Sequence, residues 1–164
     1  MRSIMISIQP KWVEKILNGE KILEIRKSMP KCELPCKVYI YNTKGGEKNY
    51  HIGCINGKNY KVGLNGKVVA EFTLNKVDLL IDCGFGIHYV DKDLNDLDLD
   101  FLTTNSCLTD EQIYLYLGLR KNSGYYNDGY AWHIDNLKIY DKPKEIKSFG
   151  LERPPQSWCY VEEV

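Results

Sequence analysis

Between residues 3 and 9, apolar Ile4, Ile6 and Ile8 alternate with Ser3, Met5 and Ser7. A two-residue period marks a β-strand with one apolar face. The period then lengthens. Trp12, Val13, Ile16 and Leu17 recur at helical spacing and predict a short amphipathic helix. Pro10 suits its first turn, where a missing N–H costs nothing. Gly19, after Asn18, can take the left-handed conformation that ends a helix. Residues 21–27 return to alternation, with Ile22, Glu24 and Arg26 on one face and Leu23 and Ile25 on the other. Residues 36–43 (CKVYIYNT) are apolar or aromatic on both faces, which predicts a central strand. Residues 66–74 set Val68, Ala70, Phe72 and Leu74 against Lys67, Val69, Glu71 and Thr73, and Val77 to Ile81 reads as their continuation.

Between these runs the pattern breaks. Residues 44–66 are polar and glycine-rich. Asn56-Gly57 and Asn65-Gly66 mark turns, and a hairpin excursion is expected around Tyr60 and Val62. Residues 82–108 read as irregular. Asp91, Asp93 and Asn95 open like a calcium loop, but Asp96 stands where the loop needs Gly and Leu102 where it needs Glu, so calcium is rejected. Thr109 with Gln112 forms a capping box that opens a second helix through Ile113, Tyr114 and Leu117, with Gly118 as its stop. The chain turns over 125–129, runs as a strand near 130–134, continues through Leu137 and Ile139, and bends at Pro143. Residues 157–162 (SWCYVE) form a last strand after Pro154-Pro155. No internal repeat and no long linker divides the chain. Five or six short, mainly antiparallel strands with two short helices predict a single α+β domain over 1–164. Its expected form is a small, partly closed β-barrel with the helices at its rim.

Composition narrows the class. Of 164 residues, 43% are hydrophobic and 27% charged, which excludes a disordered chain. No apolar run reaches the roughly 20 residues of a membrane helix, and Met1 leads into alternating sequence rather than a signal peptide. A cytoplasmic protein with reduced thiols is expected. Lys plus Arg is 22 and Asp plus Glu is 22. That balance argues against a protein that coats duplex nucleic acid. The balance hides opposed blocks: residues 1–76 hold 14 basic against 6 acidic side chains, and residues 77–112 hold 1 against 9. Among the six cysteines, Cys32, Cys36 and Cys54 with His51 form a loosely spaced quartet of zinc-ligand types. Buried structural thiols are the competing reading.

The stretch Gly19-Glu-Lys21-Ile-Leu-Glu24-Ile-Arg26 puts two cations and a carboxylate within eight residues, after a helix end. Glu24 and Arg26 point the same way from a strand and can pair. Read by itself, this is an exposed ion pair worth under about 1 kcal/mol. The pattern Gly-x-Lys-x-x-Glu-x-Arg, however, resembles the signature of the ASCH domain family, within the PUA-like superfold. Gly19, Lys21, Glu24 and Arg26 fill all four positions. The segment Ile8-Gln9-Pro10-Lys11-Trp12, the 37–41 and 66–72 strands, residues 130–134 and Pro155-Gln-Ser-Trp-Cys-Tyr-Val161 are also similar to the family, particularly to bacterial and prophage members. Stretches 44–65 and 82–108 resemble its variable insertions.

The resemblance implies binding of RNA or a modified nucleotide in a cleft lined by the signature, without a cofactor. Lys21 and Arg26 would meet phosphate, Arg bidentately and Lys as a point charge. Glu24 would orient Arg26 or accept from a base or ribose. Stacking of unpaired bases dominates RNA recognition, and Trp12, Tyr41, Trp132 and Trp158 are the candidate platforms. Lys11 beside Trp12, and Ser157 on the last strand, complete the candidate binding residues. His133 reads as a packed or hydrogen-bonded histidine. One branch of the family hydrolyses the amide of N4-acetylcytidine with a Lys-activated Thr. Lys21 and Arg26 match that branch, but Glu24 occupies the Thr position. Another branch is linked to cleavage of single-stranded RNA. A hydrolase using Lys21 and Glu24 to activate water is therefore an alternative, and a regulatory adaptor that binds a protein partner is a second.

Overall fold

The computed structural model describes residues 2–45, 51–59, 63–82, 86–118 and 129–164. In chain order the elements begin with β1 (Arg2–Ile8), α1 (Pro10–Leu17), β2 (Leu23–Arg26), β3 (Cys36–Asn42), β4 (Cys54–Ile55) and β5 (Lys58–Asn59). Then come β6 (Lys67–Leu74), β7 (Val77–Asp82), β8 (Ile87–Val90), α2 (Leu99–Ser106) and α3 (Asp110–Leu117). The chain finishes with β9 (Gly129–His133), β10 (Asp135–Lys144), a 3-10 turn (Ile146–Phe149) and β11 (Trp158–Glu162). Among the described residues no helix is long and apolar enough to cross a membrane.

The chain divides into two compact units. The first holds Met1–Glu20, Cys32–Leu74 and Asp135–Val164, and the second Lys21–Lys31 and Asn75–Ile134. The first unit is built on a five-stranded sheet of order β10-β6-β3-β1-β11. β3 lies at its centre, as its two apolar faces require, and Val38, Tyr39 and Ile40 are fully buried. β1 pairs parallel with β3 and antiparallel with β11, and its serine face is buried along with its isoleucine face. α1 starts at Pro10 and its last turn gives way to Asn18 and a left-handed Gly19. Pro143 sits within β10, an edge strand, where a missing N–H is tolerated. Asn56 and Gly57 both have positive φ and join the two-stranded β4–β5 hairpin, as an Asn-Gly dipeptide favours.

The second unit is an antiparallel sheet of order β2-β9-β7-β8. Register puts Leu23, Ile25, Ala131, Leu80 and Tyr89 on one face. Leu102 of α2 and Ile113 and Leu117 of α3 join them in one buried cluster. The capping box of α3 is complete: the Gln112 N–H donates to Thr109 Oγ1 at 3.2 Å and the Thr109 N–H to Gln112 Oε1 at 3.0 Å.

The α+β class holds, but the architecture departs from the expected five- or six-stranded partial barrel. The described residues contain eleven strands in open sheets of five, four and two. The expected continuation of β6 into Val77–Ile81 is also replaced. After Asn75-Lys76 the chain enters the other sheet as β7, and alternation alone cannot mark a change of partner. The segment read as irregular contains β8 and α2. The α2 N-terminus is capped by Asp98, whose carboxylate accepts from the Asp100 N–H at 3.0 Å. The excursion around Tyr60 and Val62, and the turn at 125–128, lie outside the described residues.

Candidate functional site

The signature residues Lys21, Glu24 and Arg26 all belong to the second unit and form one chain of charge. Glu24 Oε2 lies 3.2 Å from Lys21 Nζ, and Glu24 Oε1 lies 2.9 Å from Arg26 Nη2. Strand alternation sets up the second contact, because residues two apart share a face. The expectation of an exposed pair is corrected: Lys21 is 2% exposed, and Glu24 and Arg26 are 7% exposed each. All four residues of β2 are buried; β9 pairs along its edge and α2 packs against it. Lys21 Nζ also donates to the carbonyls of Leu23 at 2.7 Å and Ser106 at 2.8 Å. Three acceptors thus surround its ammonium, two of them backbone oxygens. Burying three charges away from bulk solvent carries a large desolvation cost, so the cluster is an expensive way to build a core. That expense is the physical reason to read it as a site.

Arg26 also meets Tyr116 of α3, whose phenol pKa is raised by burial. The Arg26 charge and hydrogen bond oppose that rise, and the Glu24 charge adds to it. Lys27 Nζ lies 5.4 Å from the centre of the same ring. Tyr116 is 41% exposed, so the charge chain has an open edge made of Tyr116 and Lys27. Sequence reasoning missed Tyr116 because the helical period assigned Ile113 and Leu117 to the core and left Tyr116 on the outer side.

A second polar network lies on the helix-covered face of the same sheet. Asp78 is fully buried. Its Oδ2 accepts from Tyr89 OH at 2.8 Å and contacts His133 Nε2 at 2.6 Å, while Oδ1 lies 2.9 Å from Lys76 Nζ. Burial, then the hydrogen bond and charge of Asp78, hold the Tyr89 phenol far above its ordinary pKa. His133 is the hydrogen-bonded histidine expected of it.

No family model and no curated protein matches the chain. Among solved structures, an ASCH protein from Zymomonas mobilis superimposes with a TM-score of 0.60 at 17% identity, over 98% of this chain and 88% of that one. A tyrosine-to-phenylalanine variant of that protein gives 0.58 at 16%, covering 98% and 91%. A serine-to-alanine variant gives 0.58 at 16%, covering 98% and 89%. The chain has the ASCH fold.

Within the ASCH fold, the sequence-predicted binding residues separate into two groups. Lys21, Glu24, Arg26 and Trp132 lie in the second unit, and Lys11, Trp12, Tyr41 and Ser157 in the first. Trp132 stands opposite Glu24 in the β2–β9 register and is fully buried, so its ring offers no face to a base. Tyr41 is 3% exposed and packs in the core of the first unit. Trp12 is half-buried, with Lys11 Nζ 5.0 Å from its ring centre. Ser157 is exposed and its carbonyl accepts from the Ser7 N–H. Trp158 packs edge-on against Tyr160, their centroids 5.5 Å apart.

Two further expectations change. The zinc quartet is not assembled: no group of three or more His, Cys, Asp or Glu among the described residues could hold a metal. Only Cys32 and Cys36 meet, while His51 and Cys54 are exposed at the β4 approach. The opposed charge blocks also largely dissolve on folding. By sequence the first unit holds 14 basic and 11 acidic side chains and the second 8 and 11. The signature strand therefore shares its unit with the acidic segment, and α2 of that segment supplies the carbonyl that Lys21 grips.

Proposed function

We propose that the chain binds single-stranded RNA or a modified nucleotide at the Lys21–Glu24–Arg26 network. The observation that carries this reading is the buried charge chain with an open aromatic and cationic edge. Two cations share one carboxylate, which leaves an excess of positive charge beside Tyr116 and Lys27. The ASCH fold and the filled signature support the same class of ligand. In this reading Lys21 does not touch phosphate. It fixes Glu24, Glu24 aims Arg26, and the ligand anion meets Arg26 and Lys27 while a base stacks on Tyr116.

The test is filter binding of single-stranded RNA across a salt series. Removing one cation from a phosphate should flatten the salt slope by about 0.7 on a log scale, so Lys27→Ala weakens binding and flattens the dependence. Tyr116→Ala should weaken binding about tenfold or more with the slope unchanged, because stacking is worth about 1–3 kcal/mol per base. Binding indifferent to both variants would sink the proposal.

The 3.2 Å contact between Lys21 and Glu24 favours one second reading, a hydrolase in which this pair activates water on acylated cytidine or single-stranded RNA. Mass spectrometry after incubation with N4-acetylcytidine and with RNA decides between the two. Turnover by the unaltered chain, abolished in a Glu24→Gln variant that circular dichroism shows to be folded, supports the hydrolase; unchanged substrates support binding alone.

A further inference from the structure

Cys32 and Cys36 bracket the exposed residues Glu33, Leu34 and Pro35 at the start of β3. Both are free thiols, and the Cys32 S–H donates to Cys36 Sγ at 3.1 Å. A disulfide needs about 2.05 Å, so closing the bond requires a movement of only about 1 Å. The two differ in access. Cys32 is half-buried at the loop, while Cys36 is 4% exposed at the edge of the core.

We propose that Cys32 and Cys36 are a reversible dithiol–disulfide couple, oxidised by a low-molecular-weight disulfide such as glutathione disulfide. Cys32 reacts first because a reagent can reach it. Its thiolate attacks one sulfur of glutathione disulfide, an S–S bond breaks, and one glutathione leaves as its thiolate. Cys36 then loses its proton and attacks Cys32 Sγ, expelling the second glutathione. In sum, two protein thiols and one glutathione disulfide become one protein disulfide and two glutathione thiols.

The environment of Cys36 sets this order. Burial pushes its thiol up to about 12, helped by the hydrogen bond shared with Cys32 and then by the Cys32 charge. Such a thiol is a poor first attacker, since the thiolate is the nucleophile. Both contributions from Cys32 vanish once Cys32 carries the mixed disulfide. The second step is therefore eased by the first, with the attacking sulfur already in contact. In a reducing compartment the pair rests as dithiol and closes only under oxidation.

Trypsin cleavage after Lys31 and Lys37 leaves both cysteines on one peptide, Cys32–Lys37. The full chain is equilibrated in glutathione buffers of graded ratio, quenched with acid and N-ethylmaleimide, digested and weighed. The expected peptide is lighter by two hydrogen masses and carries no maleimide at oxidising ratios, and it reverts with dithiothreitol. Two maleimides on that peptide at every ratio, or a stable glutathione adduct without closure, would overturn the couple. Cys36→Ser should trap glutathione on Cys32, and Cys32→Ser should leave Cys36 unmodified. Glutathione on Cys36 in the latter would overturn the order of attack. Circular dichroism of each variant confirms that it folds.

Discussion

Two carboxylates lie within the same four-stranded sheet and are satisfied in opposite ways. Glu24 is held between two cations, and every member of its chain is buried. Asp78 is also buried, but it draws on a phenol, an imidazole and a lysine that is half in water. The first arrangement is stable only while Glu24 holds both cations. The second resembles the ordinary way a protein satisfies a buried acid, by hydrogen bonds from neighbours. Both bury a charge, but only the first places unspent positive charge beside an exposed aromatic ring. Burial of a carboxylate is thus a weaker pointer to a site than the identity of its partners.

The largest expected effect comes from Glu24→Gln. It leaves Lys21 and Arg26 buried side by side, and removing one partner of a buried ion pair costs about 3–5 kcal/mol. A drop of that size in the free energy of urea unfolding is expected, and Lys21→Met in the same background should recover part of it. Asp78→Asn should cost less, about 1–3 kcal/mol, because hydrogen-bond donors rather than buried cations lose their acceptor. If the Asp78 variant proves the less stable of the two, the contrast between the carboxylates fails.

Alkaline titration sharpens the same contrast. Both phenols have folded pKa values above the ordinary 10.0. In each case the folded state holds its proton more tightly than the unfolded chain. The stability they add is therefore complete below pH 10.0 and is lost as pH rises above it. Tyr116 should ionise first, because Arg26 opposes the effect of burial there, whereas Asp78 reinforces it at Tyr89. Ultraviolet difference spectra of the two Tyr→Phe variants assign each step, and the reverse order would break the assignment. The smallest effect is Lys76→Met. Its side chain is 49% exposed, so water screens the contact with Asp78 and a loss under about 1 kcal/mol is expected, shrinking further in high salt.

Local chemistry was legible wherever it decided structure by itself. Pro10 and Asn18-Gly19 bound α1, Thr109, Gln112 and Gly118 bound α3, and the two apolar faces of 36–43 put β3 in the middle of a sheet. α2 was hidden because only Leu102 and Ser106 face inward and its start is a run of aspartates. The Glu24–Arg26 pair could be read from strand period. Its burial could not, because β9 and the α2 carbonyl that enclose it lie far along the chain. The charge blocks misled for a related reason. Sequence position says where a residue is, not which segment it packs against, and Lys21–Lys31 packs with Asn75–Ile134.

The pairing of β1 with β11 sets a timetable for synthesis. Arg2 stands opposite Glu162, and Ile6 opposite Trp158. At ~5–20 residues per second, a ribosome needs about ten to thirty seconds to travel between those partners. During that interval β1, among the most deeply buried strands of its sheet, can pair with β3 but keeps an open backbone edge. The nascent chain therefore carries a sticky strand until β11 emerges, and codon changes that slow elongation between β3 and β11 should aggregate the protein without altering its finished stability.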